Sequence, residues 1–175
     1  LHFGTFTKGT SFENGQEVSL KINEEKRRLF ARIHSAGHLM DVCVKNIGLT
    51  NLIPGKGFHF PAGAYVEYIG LVPEERKTGI VEELNTEIDR VLKECAEEDK
   101  AFMKICEYEE AKAILGEVPS YILEGDPFRV VKLTKEDKGC PCGGTHVPHI
   151  RDIGSFKVTK IKKEKKNTRI SYIVE

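Results

Sequence analysis

The sequence has no excess of either charge, because 27 lysine and arginine residues balance 27 aspartate and glutamate residues. Net charge therefore gives no argument for nucleic-acid binding, and any such contact has to come from a local basic patch. The sequence also lacks an apolar run near the ~20 residues that span a bilayer. No signal peptide is recognisable. These absences argue against a membrane protein and favour an ordinary globular domain.

Cysteine is present in an odd number, five, and no secretory signal accompanies it. A disulfide framework is therefore disfavoured, and free thiols or metal ligation fit better. We expect a reducing compartment and thus a cytoplasmic location. The chain begins with Leu1 rather than methionine, which is consistent with a fragment that lacks upstream parts.

The composition is that of a domain able to bury a core, with 39% hydrophobic and 31% charged residues over 175 positions. Asn23 is a favourable N-cap, and apolar residues recur at helical spacing as far as Gly48. Residues 1–22 contain short β-favouring pieces separated by glycine, which indicates the tail of a small β-rich element. We expect an α+β fold with a mostly antiparallel sheet, in which residues 23–175 form the main domain.

The rest of the chain is predicted from turn residues and periodicity. The predicted elements are a loop over 50–57, a strand pair within Phe58–Ile69, a helix opened by Pro73, a short strand Lys104–Cys106, a helix Tyr108–Leu115, a strand Phe128–Leu133, a loop over 135–152, and a hairpin of Ser155–Ile161 with Thr168–Val174.

Two histidines lie four residues apart on the first predicted helix. One helical turn places the imidazoles of His34 and His38 one above the other on the same face. A pair of this kind is close enough to share a metal ion, but alone it is weak support, because most such pairs are surface or core residues. A second motif decides the interpretation.

Cys142 and His146 form a C-x-x-x-H motif whose intervening glycines allow a tight backbone turn. Together with His34 and His38 they make a set of one thiolate and three imidazoles, a donor set that suits Zn²⁺. Four protein ligands fill a tetrahedron, so spacing alone leaves a structural and a catalytic zinc equally open. No glutamate lies inside the helical motif as in H-E-x-x-H, so a general base is not evident there.

At these residues the sequence resembles a known family. The two histidines of the helix, the Cys142-Gly-Gly-Thr-His146 loop and the following Asp152-Ile-Gly154 are similar to the editing domain of alanyl-tRNA synthetase. They are still more similar to the freestanding alanyl-tRNA editing proteins, and threonyl-tRNA synthetase carries a related domain. The resemblance covers most of the chain, identifies residues 23–175 as the second additional domain, and places the family's zinc ligands on the same four residues.

The resemblance implies a zinc-dependent trans-editing hydrolase that cleaves the ester of a mischarged tRNA. The implied substrate is Ser-tRNA(Ala), with Gly-tRNA(Ala) as a further candidate, and the implied partner is the acceptor end of that tRNA. Two other interpretations stay open. One is a zinc-stabilised tRNA-binding module without turnover, and the other is a fragment of an alanyl-tRNA synthetase.

The candidate catalytic residues are Gly143, Gly144 and Thr145 in the loop, together with His59. Backbone N–H groups around the two glycines are placed to stabilise an oxyanion. In the family, a hydroxyl-bearing side chain on the strand after the first helix senses serine. This sequence offers no unambiguous threonine there, so His59 is our leading candidate, followed by Tyr65. For Cys140, two residues before a predicted ligand, we favour a bystander thiol over a role at the zinc.

Overall fold

The computed structural model describes residues 4–95, 100–135 and 137–175. The helices are α1 (Glu24–Asn46), α2 (Ile80–Glu94) and α3 (Tyr108–Leu115), with single 3₁₀ turns at Glu74–Arg76 and Ile150–Ile153. The strands are β1 (Ile53–Phe58), β2 (Tyr65–Ile69), β3 (Phe102–Cys106), β4 (Phe128–Lys132), β5 (Cys140–Pro141), β6 (Phe156–Glu164) and β7 (Asn167–Val174).

Helix α1 is the longest element and carries two of the predicted ligands. The side chain of Asn23 accepts a hydrogen bond of 2.9 Å from the N–H of Lys26, which confirms the predicted cap. The 23 residues of α1 extend over roughly 34 Å. Gly48 follows the last turn with a φ of 82°, a left-handed conformation that glycine adopts without a side-chain clash. The predicted helix is therefore confirmed at both ends.

Four strands form the larger sheet in the order β1-β2-β7-β6, and all neighbours are antiparallel. The β6–β7 hairpin confirms the prediction. Glu164 pairs with Asn167, so only Lys165 and Lys166 form the turn. Both lysines are exposed, as expected for a solvated turn.

The prediction of a loop over 50–57 was wrong, because strand β1 occupies Ile53–Phe58. Pro54 and Gly57 discouraged a strand assignment. Both positions are tolerated here because, among the described strands, β1 is an edge strand that pairs with β2 alone, and its register shifts between these two residues.

The strand pieces expected within residues 1–22 are not formed in the described part of that segment. Residues 4–23 contain hydrogen-bonded turns, such as Thr10 N–H to the Thr7 carbonyl, and no helix or strand. All of these residues are exposed, and a strand without a partner does not hold its backbone hydrogen bonds. Residues 1–3 lie outside the described residues, and the division into domains at residue 22 stays a prediction.

The second sheet has the order β3-β4-β5 and anchors the Cys142 loop. The loop predicted over 135–152 instead contains β5, which pairs Cys140 with Val131 on β4. It also contains the 3₁₀ turn Ile150–Ile153, while Glu136 lies outside the described residues. The predicted strand at Lys104–Cys106 is confirmed and begins earlier, at Phe102. Helix α3 matches the predicted Tyr108–Leu115.

Helix α2 begins later than predicted. Pro73 and the two following glutamates lead into the 3₁₀ turn Glu74–Arg76, and the α-helix starts at Ile80, after Gly79 with a φ of 82°. Its apolar stripe packs toward α1 and β6, with Leu84 and Ile88 fully buried.

The core lies between these two helices and the four-stranded sheet, which confirms the α+β class. Leu39 and Met40 from α1, Tyr68 from β2, and Phe156 and Tyr172 from the β6–β7 hairpin belong to one buried cluster. Burial of this cluster holds α1 at a defined position over the sheet. Among the helices of the described residues, none has the length and apolar character that a bilayer crossing requires.

Candidate metal centre

Four side chains converge where α1 meets the loop after β5. The ligand atoms of His34, His38, Cys142 and His146 all lie within 4.8 Å of one another. Residues 34 and 142 are 108 positions apart, so the cluster exists only because the fold brings the helix and the loop together. The structure thus places all four predicted ligand residues in one group that could hold a metal ion.

Three separations within this group are close to those of a tetrahedral zinc site. Zinc–nitrogen bonds of about 2.0–2.1 Å and a zinc–sulfur bond of about 2.3 Å give N···N separations of about 3.4 Å and N···S separations of about 3.6 Å. The observed distances are 3.3 Å between Nε2 of His34 and Nε2 of His38, and 3.6 Å between Sγ of Cys142 and Nε2 of His34. Nε2 of His146 lies 3.4 Å from the same sulfur. The donor types and these three separations therefore fit the ion, while the whole group lies within 4.8 Å.

Nδ1 of each α1 histidine has a partner outside the group. Nδ1 of His34 lies 3.3 Å from the Thr145 carbonyl, which can only accept, so the proton belongs on Nδ1 and the lone pair on Nε2. Nδ1 of His38 lies 3.1 Å from Sγ of Cys140. Partners of this kind orient the ring and fix its tautomer for metal binding. Cys140 is thus in contact with a predicted ligand histidine, and its assignment as a bystander thiol stays a prediction.

His146 receives its support from Ser35, a residue that sequence reasoning missed. Oγ of Ser35 lies 3.1 Å from Nδ1 of His146 and accepts a 3.0 Å hydrogen bond from the N–H of Val147. Ser35 and His146 are both buried. The position of Ser35, directly after a ligand histidine, was the available signal, but a helix turns adjacent side chains about 100° apart and their roles could not be assigned without the fold.

Arg129 on β4 clamps the Cys142 loop. Its Nη1 donates to the Cys142 carbonyl at 2.9 Å and to the Gly144 carbonyl at 2.7 Å. The N–H of Cys142 in turn donates to the carbonyl of Arg129 at 3.0 Å. Charge-assisted bonds of this kind are among the stronger hydrogen bonds in proteins. Sequence reasoning missed Arg129, and nothing in its neighbourhood marks it.

The loop glycines differ in what their surroundings allow. A Cβ at Gly144 would lie 2.1 Å from Cε1 of His34, whereas a Cβ at Gly143 would meet nothing within 4 Å. Neither glycine has a positive φ, so close approach rather than backbone conformation explains Gly144. The N–H of Gly144 donates to Sγ of Cys142 at 3.4 Å. This N–H is therefore already engaged. Of the two glycines, the exposed Gly143 is then the one whose N–H we predict to stabilise an oxyanion. Thr145 takes part through its carbonyl on His34.

His59 lies beside the cluster, and Tyr65 does not. The ring centroids of His59 and His34 are 4.7 Å apart. Nδ1 of His59 lies 2.8 Å from the hydroxyl of Tyr172. The ring of Tyr65 instead stacks on Phe58 at 5.8 Å and lies under the guanidinium of Arg169 at 4.2 Å. Of the two candidate serine sensors, only His59 is next to the predicted ligands.

Burial keeps these imidazoles neutral. Burial is the largest of the effects that lower the pKa of His38 to about 3 and the pKa of His146 to about 2. Burial also lowers the pKa of His34, and together with the nearby His34 it lowers the pKa of His59 to about 4. Neutral rings offer the lone pairs that a cation needs. The pocket is thus suited to a metal ion and unsuited to protonated histidine.

Comparisons with known proteins find similarity to aminoacyl-tRNA synthetases. The family described as "Threonyl and Alanyl tRNA synthetase second additional domain" matches residues 128–171, a segment that contains Cys142 and His146 but not α1. The chain is 30% identical over 171 residues to alanine–tRNA ligase 1 of Lachnoclostridium phytofermentans. It is 31% identical over 169 residues to the alanine–tRNA ligase of a Nostoc species. Each alignment covers 90% of this chain and 17% of the relative, so the chain spans about one sixth of the length of these proteins.

Proposed function

The chain belongs to the family of editing domains related to alanyl-tRNA synthetase, and from this premise we propose that it is a zinc-dependent trans-editing hydrolase. The proposed reaction is hydrolysis of the ester in Ser-tRNA(Ala), with Gly-tRNA(Ala) as a further candidate substrate. The acceptor end of the mischarged tRNA is then the partner, and the location is the cytoplasm, where that tRNA is used. In enzyme terms the protein is an aminoacyl-tRNA deacylase.

The observation that carries the proposal is the convergence of His34, His38, Cys142 and His146 within 4.8 Å. These residues would hold the zinc ion. When bound, zinc supplies Lewis-acid chemistry suited to an ester, because it polarises carbonyl oxygens and lowers the pKa of water. An aminoacyl ester is already activated, so modest assistance is sufficient.

The chain's own residues supply orientation around that ion. His59 lies within a ring contact of His34, close enough to meet the side chain of an amino acid whose ester lies at the cluster. Of the two loop glycines, Gly143 is the candidate donor for a developing oxyanion, because the N–H of Gly144 is bonded to Cys142. Selectivity then comes from a hydrogen bond that serine can make and alanine cannot.

The test uses purified protein loaded with zinc and incubated with Ser-tRNA(Ala) or Ala-tRNA(Ala). We expect release of serine, little release of alanine, and loss of both after treatment with a chelator. A His38→Ala variant should lose bound zinc, measured by elemental analysis, together with activity. If zinc-loaded wild-type protein releases no serine, the hydrolase proposal is wrong.

The second candidate is a zinc-stabilised tRNA-binding module, which a closed set of four protein ligands favours, since structural zinc sites are typically saturated by protein. In that case the protein would bind the tRNA acceptor end in a zinc-dependent manner without any release of amino acid. Binding and release are measured on the same samples, so one experiment separates the two functions.

A further inference from the structure

His59 and Tyr172 form a hydrogen-bonded pair beside the predicted zinc ligands. Nδ1 of His59 lies 2.8 Å from the Tyr172 hydroxyl, and that hydroxyl donates to the carbonyl of Ile33 at 2.9 Å. Tyr172 is fully buried. Ile33 directly precedes His34, so the pair is attached to the part of α1 that carries the first ligand.

Counting protons determines the tautomer of His59. A phenol carries one proton, and a backbone carbonyl can only accept. The proton of Tyr172 is used on Ile33, so its oxygen can satisfy the contact with His59 only as an acceptor. Nδ1 of His59 must then carry the ring proton. A neutral imidazole has only one such proton, so Nε2 is left with a lone pair.

Nothing in the described residues uses that lone pair, because no hydrogen bond from them reaches Nε2 of His59. The ring lies in a slot between Gly37 on α1 and Gly57 on β1. A Cβ at Gly57 would lie 2.2 Å from Nε2, and a Cβ at Gly37 would lie 2.8 Å from the Tyr172 hydroxyl. Glycine at both positions therefore leaves room for the pair, and glycine at 57 places no side chain over Nε2.

We propose that Tyr172 is a positioning residue that commits Nε2 of His59 to accept a hydrogen bond, and that the site thereby selects an ester whose side chain carries a hydroxyl. The inference rests on the proposed hydrolase function and deepens it. Serine donates such a bond, whereas the side chains of alanine and glycine have no donor. The contact therefore selects serine over both, and it gives no preference to a glycyl ester.

The first test records the tautomer directly. The full chain, labelled with ¹⁵N in histidine and loaded with zinc, is studied by NMR correlation spectra that distinguish protonated from unprotonated ring nitrogens, and a His59→Gln variant assigns the signals. We expect the proton on Nδ1 in the wild-type protein and a shift toward the other tautomer in Tyr172→Phe. A wild-type proton on Nε2, or an unchanged tautomer in Tyr172→Phe, would overturn the proposal.

The second test measures selectivity as the ratio of kcat/KM for Ser-tRNA(Ala) to kcat/KM for Ala-tRNA(Ala). Tyr172→Phe should lower this ratio by roughly tenfold, the size expected for one neutral hydrogen bond. Tyr121→Phe removes a hydroxyl from an exposed tyrosine and should leave the ratio unchanged. An unchanged ratio in Tyr172→Phe contradicts the proposal.

Gly57→Ala guards against a simple packing defect in Tyr172→Phe. This variant retains both side chains but places a methyl group 2.2 Å from Nε2 of His59, so the ring must move. It should lower the serine-to-alanine ratio although the Tyr172 hydroxyl is present, and an unchanged ratio would contradict the role of Nε2. The NMR spectra report the tautomer without any turnover. Complete inactivity of the wild-type protein would therefore contradict the proposed function. The spectra would still decide for or against the role of Tyr172.

Discussion

The sulfur of Cys140 lies 3.1 Å from Nδ1 of His38. Nε2 of the same ring lies 3.3 Å from Nε2 of His34. The imidazole thus faces the cluster with one nitrogen and a thiol with the other. We predict that Cys140 orients this candidate ligand without joining the ligand set.

We expect Cys140→Ala to weaken zinc binding by about tenfold to a hundredfold, the range found when such a supporting contact is removed. The four ligands themselves remain, so zinc stoichiometry at saturation should stay unchanged. Competition with a chromophoric chelator measures the affinity. Cys140→Ser keeps a hydrogen-bonding group at this position and should lose less, and Cys95→Ser serves as the control for a thiol elsewhere. Equal affinity in all three variants would show that Cys140 does not support His38.

Gly143 and Gly144 form a matched pair for the site loop. A methyl group at Gly144 would collide with the ring of His34 at 2.1 Å from Cε1, and one at Gly143 would enter open space. Gly144→Ala should therefore lose most of its zinc, while Gly143→Ala should retain it. Elemental analysis of the purified variants gives the answer. Full zinc content in Gly144→Ala would mean that His34 can move away without leaving the ion.

Removal of the Arg129 clamp should destabilise the zinc-free protein. Arg129→Met leaves the carbonyls of Cys142 and Gly144 without their donor, and the expected cost is roughly 2–4 kcal/mol of unfolding free energy. Urea unfolding in the presence of a chelator measures it, with the exposed Arg27→Met as control. A change no larger than in that control would show that the loop holds its shape without the clamp.

Asp41 should make stability depend on pH. Burial raises the pKa of this carboxyl from 3.8 to about 7 and is the largest cause of the shift. The hydrogen bond from Tyr68 acts in the opposite direction. In the unfolded chain the same carboxyl loses its proton near pH 4. Between these values the folded state binds more protons, so the unfolding free energy falls as the pH rises from about 4 to about 7.

Asp41→Asn removes this dependence while keeping an oxygen that can accept from Tyr68. At pH 8 the zinc-free variant should be more stable than the wild-type protein by roughly 2–4 kcal/mol, and at pH 4 the two should be similar. Urea unfolding across this range provides the measurement, and Asp89→Asn on the exposed face of α2 is the control. Parallel stability curves for Asp41→Asn and the wild-type protein would contradict the raised pKa.

Local rules predicted the elements whose signals lie close together in the chain. The Asn23 cap and the apolar stripe of α1, the bounds of α3, and the β6–β7 hairpin all depend on neighbours within a few residues. Strand β1 was missed because Pro54 and Gly57 argue against a strand in general. An edge position makes them acceptable, and sequence does not show which strand is at an edge.

By itself the sequence determined the four candidate ligands, because helical spacing pairs His34 with His38 and a short loop pairs Cys142 with His146. Only the tertiary structure decided which side chains contact the candidate ligands and His59. Cys140 is 102 positions from His38, and Tyr172 is 113 positions from His59. The physical reason is that a metal ligand is recognised by its own type and local spacing. The partner that orients it is set by the packing of α1 against the sheets, a long-range result of core burial that no local pattern contains.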